Sequence, residues 1–484
     1  MSRLDGYRMK LMLVGVIAAI VLGCLEPADG SVIAVGPGPS SDFDTIQAGI
    51  DATSDGDMVL MAPGEYVIAE PITFRGKAIT VTSEAGPDET IIRMGTPADT
   101  NRGSVVVFES NETDASVLDG FTITGGSGSW VQHALYPHVY GGGVLFNSSS
   151  ATVRNCAIVQ NRAGRGGGVV CLYPCSPTLI DCIIAENSSI RSGGGLSGHF
   201  GASLTLTNCI VRGNSAGSDG GGVMCAFNSS MNITNCTILE NSGAGHGAGL
   251  NCWESSSVML GNCTIAKNSS DSVGAGVFCG GNSSIQMTNC SITNNSASSQ
   301  CGAIFCFSSS LVNITNSIIW GNAAPNGDQI TLTPGASTLT VTYSNVAGGQ
   351  TGVTVDGGST LNWGAGNIDA DPCFADPNNE DYHLKSEAGR WDPNSQTWVR
   401  DEITSPCIDA GDPMSPIRWE PFPNGGFVNM GAYAGTSEAS KTYFGKPICE
   451  TIIAGDINGD GQVNRADMEI MALHWTDEEP LPLP

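Results

Sequence analysis

Between residues 141 and 322 short alternating segments are punctuated by glycine and asparagine at a fixed interval. In one copy Ser203-Leu204-Thr205-Leu206-Thr207 alternates polar and apolar, Asn208-Cys209-Ile210-Val211 follows, and Gly222-Val223-Met224-Cys225 ends the unit after a loop. Alternation over four or five residues is a strand signal, and the Gly, Ser and Asn between such runs are turn formers. No copy holds the roughly ten helix-periodic apolar residues that each helix of a helical repeat needs. The pattern predicts three short strands per unit.

The unit recurs with little drift. Asn155-Cys156, Asp181-Cys182, Asn208-Cys209, Asn235-Cys236, Asn262-Cys263 and Asn289-Cys290 lie 26 and then 27 residues apart, and Asn316-Ser317 is a seventh copy. A second column keeps step at Asn161, Asn187, Asn214, Asn241, Asn268, Asn295 and Asn322. Glycine blocks precede Val169, Leu196 and Val223, relax at Gly247 and Gly274, and are followed by a second cysteine column, Cys171, Cys225, Cys252, Cys279 and Cys306. A three-strand rung of this length, stacked at the ~4.8 Å strand spacing, is a parallel β-helix. Stacking sets like side chains above one another, so the Asn column becomes an amide ladder and the cysteines become small fillers of a narrow interior. The expected fold class is all-β. Residues 77–95 and 103–126 read as less regular rungs, 323–368 as one or two final ones, and Thr45–Ala52 as an amphipathic helix capping the first edge.

The ends differ in kind from the middle. The chain of 484 residues has a net charge of −27, yet residues 141–322 hold six acidic and six basic residues. Residues 361–484 hold 21 acidic and seven basic. With no basic face, a nucleic-acid partner is excluded. Arg8 and Lys10 precede the apolar run Leu11–Leu22, which reads as a secretory signal over residues 1–30. Val21-Leu22-Gly23-Cys24 offers lipoprotein anchoring at Cys24 as one outcome, and cleavage near Ala28 offers free secretion as the other. Either way the expected location is outside the cell or on its outer surface.

These residues carry a resemblance. Asp44-Thr45-Ile46-Gln47-Ala48, Gly56-Asp57, Pro63-Gly64-Glu65-Tyr66 and the Asn-Cys-x-Ile rungs resemble bacterial secreted right-handed β-helix proteins of the pectin-lyase-like fold. The Gly-Gly-Ala/Val and Asn pattern is also similar to polymorphic outer-membrane protein repeats, which are surface adhesins. The resemblance implies a right-handed coil over 31–436, with regular rungs at 141–322 and a closing segment at 369–436 in which Trp391, Trp398 and Trp419 pack. It leaves activity open, because one such fold hosts lyases, hydrolases, adhesins and scaffolds.

After a linker at 437–450, residues 451–476 form a small module. Asp456, Asn458, Asp460, Gln462 (through its carbonyl), Asn464 and Asp467 fall on positions 1, 3, 5, 7, 9 and 12 of an oxygen-ligand loop, with Gly461 at the sharp turn. A hard cation takes that set, so calcium is the expected cofactor. The loop and the following Met468–Leu473 helix resemble half of a type I dockerin, the EF-hand-like module that docks a cohesin. One half-repeat leaves a cohesin partner in question.

The cysteines of both ladders are expected as buried free thiols, since parallel Cβ vectors suit an inter-rung disulfide poorly. Cys373 and Cys407 lie outside the ladders and are free to pair. For catalysis the rungs offer little. Gly245-His246-Gly247 mimics a polygalacturonase tripeptide without its companion motifs. Glu186 and Glu240, two rungs apart, approach the spacing of an inverting glycosidase pair, but Lys267 is one rung from Glu240 and suggests an ion pair. Binding residues are easier to name. An insertion carries Trp130, His133, Tyr136, His138 and Tyr140, and long insertions on solenoids carry function or close a hydrophobic side. The residue after the second cysteine column, Leu172, His199, Ala226, Trp253, Gly280 and Phe307, faces outward and places Trp253 on a flat sheet. The expectation is a monomeric, exported, calcium-binding β-helix presenting a surface for polysaccharide or another cell-surface ligand. A lyase or glycoside hydrolase and a protein adhesin are the alternatives.

Overall fold

Each strand of the repeat pairs in parallel with its counterpart one rung away, as Leu204 with Met231 and Cys225 with Cys252. The computed structural model describes residues 30–133, 138–326 and 329–444, together with residues 465 and 468. The signal segment, Cys24 and the oxygen-ligand loop at 456–467, apart from Arg465, lie outside the described residues, as does Tyr136.

One turn of the coil shows how the sequence builds it. Ser203–Thr207 lies in a first sheet of 13 strands and Ile210–Arg212 in a second of 11. Ser215–Ala216 lies in a short fourth sheet of six, and Val223–Ala226 in a third sheet of 11. Alternate side chains point in, so Leu204, Leu206, Val211, Val223 and Cys225 are buried. The first turn is made by the Asn/Asp column itself, left-handed at every copy from Asn155 (φ 50°) to Asn316 (φ 51°). The second turn places the left-handed residue just before the other Asn column, at Gln160, Glu186, Gly213, Glu240, Lys267 and Asn294.

That second Asn column is the internal ladder. The Asn241 carboxamide oxygen accepts from the backbone N–H and the side chain of Asn214, each at 3.0 Å. Its nitrogen donates to Val211 O at 2.9 Å and to the Asn268 oxygen at 3.0 Å. Every polar atom of the buried amide is thereby satisfied, which burial requires. Gln329 ends the ladder by exchanging bonds with Asn322 at 3.0 and 3.1 Å.

The cysteine ladders are interior, as their spacing predicted, and ten of their eleven members are free thiols. Cys171 is the exception: it is bonded to Cys175. The bridge lies within one rung, across the corner after Leu172, a pairing that an inter-rung argument does not consider. Cys373 and Cys407 are both free.

At the N-terminal end the helix Ile46–Ala52 buries Ile46, Gly49 and Ile50, with the Thr45 hydroxyl accepting from Ala48 N at 3.4 Å. A Cβ on Gly49 would meet Val35 Cγ2 at 2.5 Å, so the helix lies close on the first strands. The closing segment does not stack as further rungs. It folds back along the second sheet, where Phe374, Tyr382, Leu384, Ile408 and Met430 pack on Leu239, Ala266 and Ile318. The side chain of Asn262 donates to Ala432 O at 3.0 Å, and Asp412 N donates to the Asn316 side chain at 2.7 Å. Trp391 and Trp398 meet edge to face at 5.9 Å, with Lys441 over Trp398. Trp419 does not pack there and is 78% exposed. Residues 439–442, in the expected linker, are packed: Ala439 and Ser440 are buried, and Thr442 N bonds Pro423 O at 2.8 Å.

Candidate functional site

The outward face of the third sheet carries two columns of side chains flanking the inward cysteines. One runs Val170, Ser197, Met224, Asn251, Phe278 and Phe305, and the other Leu172, His199, Ala226, Trp253, Gly280 and Phe307. Parallel, in-register pairing holds both columns straight. In the later rungs they become aromatic together. Phe278 and Phe305 stack at 5.7 Å and 14°, and Trp253 and Phe307 at 6.0 Å and 27°. His246, on the turn before the sheet, stacks on Phe278 at 4.9 Å and 14°.

The result is an open groove of about 490 Å³ lined by Asp219, Met224, His246, Asn251, Trp253, Val273, Phe278, Phe305, Phe307 and Thr333. Gly280 makes the room for it. A Cβ there would lie 2.7 Å from Trp253 Cζ3 and 2.9 Å from Phe278 Cε1. Polar groups gather at one end. Asp219 accepts the backbone N–H of His246 at 2.8 Å and the Ser218 hydroxyl at 2.7 Å. His246 Nδ1 lies 3.1 Å from the Ser272 hydroxyl. The Asn251 side-chain nitrogen donates to His246 O at 3.1 Å, while its Oδ1 is buried with no partner. Stacking faces beside a few fixed polar atoms make a surface for a ligand with apolar C–H faces and hydroxyl edges.

Of the residues singled out from sequence, Trp253, Phe307 and His246 stand in this groove. Trp130, His133 and His138 do not; they belong to an antiparallel flap made by Arg102–Gly103, Gly128–Val131 and His138–Tyr140. Tyr140 anchors the flap on Val107, Leu145, Val170 and Leu172, closing the hydrophobic side of the earlier rungs. His133 stacks on Phe200 at 4.3 Å, and Trp130 is 47% exposed. His138 accepts Val139 N–H at 2.9 Å; burial, then Arg191 and Arg165, push its imidazole below the usual range. His199, wholly buried with neither ring nitrogen partnered, is pushed down to about 3 by burial and Arg165.

The Glu186 and Glu240 column stands elsewhere, on the turn between the second sheet and the short fourth one. Gln160 donates to Glu186 at 3.0 Å. Glu240 pairs with Arg212 at 2.8 Å, and Arg212 also grips Glu380 of the closing segment at 3.0 Å. Lys267, the expected partner of Glu240, donates instead to Asn378 O at 2.7 Å. Among the described residues no group of three or more His, Cys, Asp or Glu side chains is placed to hold a metal ion.

Phe307 and His246 were named from the sequence as well; the groove's inner wall of Asn251, Phe278 and Phe305 was not. Its signal was the column just before the second cysteines, where Asn251, Phe278 and Phe305 break a run of aliphatic and small residues. Asp219, His246 and Val273 share a variable position before the glycine block, and stacking brings that position to the groove's end.

The model of the right-handed β-helix region matches residues 97–219 and 191–319. The coil is a right-handed parallel β-helix. Residues 314–411 match a family described as disaggregatase related, which spans the last rungs and the first part of the closing segment. No curated protein matches the chain. Among solved structures, the pectate lyase Pel9A is 15% identical with a TM-score of 0.44, over 84% of this chain and 96% of that one. The catalytic unit of a GH87 α-1,3-glucanase from Streptomyces thermodiastaticus is 12% identical with a TM-score of 0.38, over 72% and 70%. A polygalacturonase from Erwinia carotovora is 12% identical with a TM-score of 0.30, over 70% and 97%.

Proposed function

We propose that this chain is an exported β-helix protein that binds polysaccharide through the groove on its third sheet. The observation that carries the reading is the stacked pair of half-buried Trp253 and exposed Phe307, backed by the buried rings of Phe278 and Phe305, beside the unpartnered Asn251 Oδ1. Pyranose rings stack their C–H faces on such surfaces and supply the hydroxyl donors a buried acceptor lacks. In the same reading the leader over 1–30 sends the chain out of the cytoplasm. Asp456, Asn458, Asp460, Gln462, Asn464 and Asp467 hold one calcium ion. The helix Ile46–Ala52 shields the first rung from edge pairing.

A second reading, a polysaccharide-degrading enzyme, has one observation in its favour: Asp219 and His246 stand in the same groove. One experiment separates the two. Purified protein is applied to a panel of soluble and insoluble polysaccharides, with and without calcium, while retention and release of reducing ends or unsaturated uronates are followed. Retention without release is the expected outcome. Release abolished by Asp219→Asn would establish the enzyme, and neither retention nor release would overturn the carbohydrate reading.

A further inference from the structure

We infer that the groove selects uncharged sugars and that Asp219 is the residue that excludes uronates. The inference rests on the carbohydrate reading above and adds the class of ligand.

Among the described residues that line the groove Asp219 is the one carboxylate, and none is a lysine or arginine. Recognition of a sugar carboxylate calls for a cation, usually the two-pronged guanidinium of arginine. Here the wall offers a negative charge instead. Asp219 cannot swing away freely, because one oxygen holds the His246 backbone N–H at 2.8 Å and the other the Ser218 hydroxyl at 2.7 Å. A uronate whose carboxylate reached the polar end of the groove, where His246 stacks on Phe278, would meet a fixed like charge beside apolar rings, where screening is weakest.

Asn251 points the same way. Its side chain is tied by the nitrogen to His246 O, so the groove is left with an acceptor, Oδ1, in need of a donor. The C6 hydroxyl of a neutral hexose can donate to it; an ionised C6 carboxylate, an acceptor only, cannot. Aromatic faces, an unpartnered acceptor and a fixed anion together fit a neutral glycan.

The test uses the full chain and matched oligosaccharides: a neutral hexose oligomer, and the oligomer of the same sugar and linkage oxidised to the uronate at C6. Affinities are measured by isothermal titration at pH 8, where a free imidazole is neutral. The wild type should prefer the neutral member at least tenfold. Asp219→Asn, which keeps an acceptor for His246 N–H and removes the charge, should lower that preference at least fivefold. Asp219→Ser serves the same end should the amide variant not fold. Equal or tighter binding of the uronate by the wild type, or an unchanged preference in both variants, would overturn the inference while leaving the carbohydrate reading intact. Binding of neither member, nor of any neutral polysaccharide in the panel, would overturn both.

Discussion

Trp253 and Phe307 stand two rungs apart in one outward column, and their rings stack at 6.0 Å because the residue between them is Gly280. Strand spacing alone sets such columns ~9.6 Å apart. The rings lean together over the missing side chain and turn separate aromatics into one surface.

A single methyl group should therefore damage the groove. Gly280 is not in the left-handed region, so alanine is compatible with its backbone, yet its Cβ would press on Trp253 and Phe278. Gly280→Ala is expected to weaken glycan binding about tenfold, about 1.4 kcal/mol, with the melting temperature little changed. Titration calorimetry beside a thermal melt checks both parts.

Removing one ladder amide should be costly. Asn241→Ala leaves Asn214 N–H without its acceptor and Val211 O without a side-chain donor, all in the interior. At about 1–3 kcal/mol for each orphaned buried group, a loss of about 3 kcal/mol is expected. Asn322, at the ladder's end and 8% exposed, should cost less on the same change. Melting temperatures of the two variants give the comparison.

The closing segment should loosen as pH rises. Glu420 is pushed up to about 7 by burial, with Asp409 beside it acting the same way and the N–H groups of Gly435 and Asn429 opposing. Its folded form holds a proton that the unfolded chain releases near 4.5, so its contribution to stability is full below that value and is lost as pH rises through 7. The loss is on the order of 3 kcal/mol. Hydrogen-exchange protection over residues 405–435, taken relative to the base-catalysed intrinsic rate at each pH, should be higher at pH 5.5 than at pH 8. Glu420→Gln should remove most of that difference.

The ladder thiols should be chemically silent in the folded protein. Burial pushes the Cys156 thiol up to about 12, and its neighbours in both columns are equally enclosed. Thiol labelling of the native chain followed by peptide mapping should find Cys373, which is only partly buried, ahead of any ladder cysteine. Rapid labelling of Cys236 or Cys279 would contradict the stacked interior.

The coil was legible because its forces are local and repeated. Asn241 and Asn268 announce a ladder by spacing alone, and the register follows once each must satisfy the next. The groove was half legible: Trp253 could be placed on an outward column, but Phe278 and Asn251 needed the register to bring them beside it. The flap was ambiguous because Trp130 and Tyr140 are equally suited to binding and to covering apolar surface; Tyr140 does the latter. Least legible was the closing segment. Its contacts, such as Asn262 with Ala432, join residues 170 apart and leave no periodic trace. For the same reason the pairing of Arg212 with both Glu240 and Glu380 could not be read from the rungs.

The central claim is that the aromatic groove, and not the flap, is the carbohydrate site. The direct measurement is the affinity of the best-retained oligosaccharide for the wild type, for the double variant Trp253→Ala/Phe307→Ala, and for Trp130→Ala. The account predicts a loss of about 100-fold in the double variant, about 2.7 kcal/mol, and a change within about twofold for Trp130→Ala. Full binding by the double variant, with loss in Trp130→Ala, would contradict it.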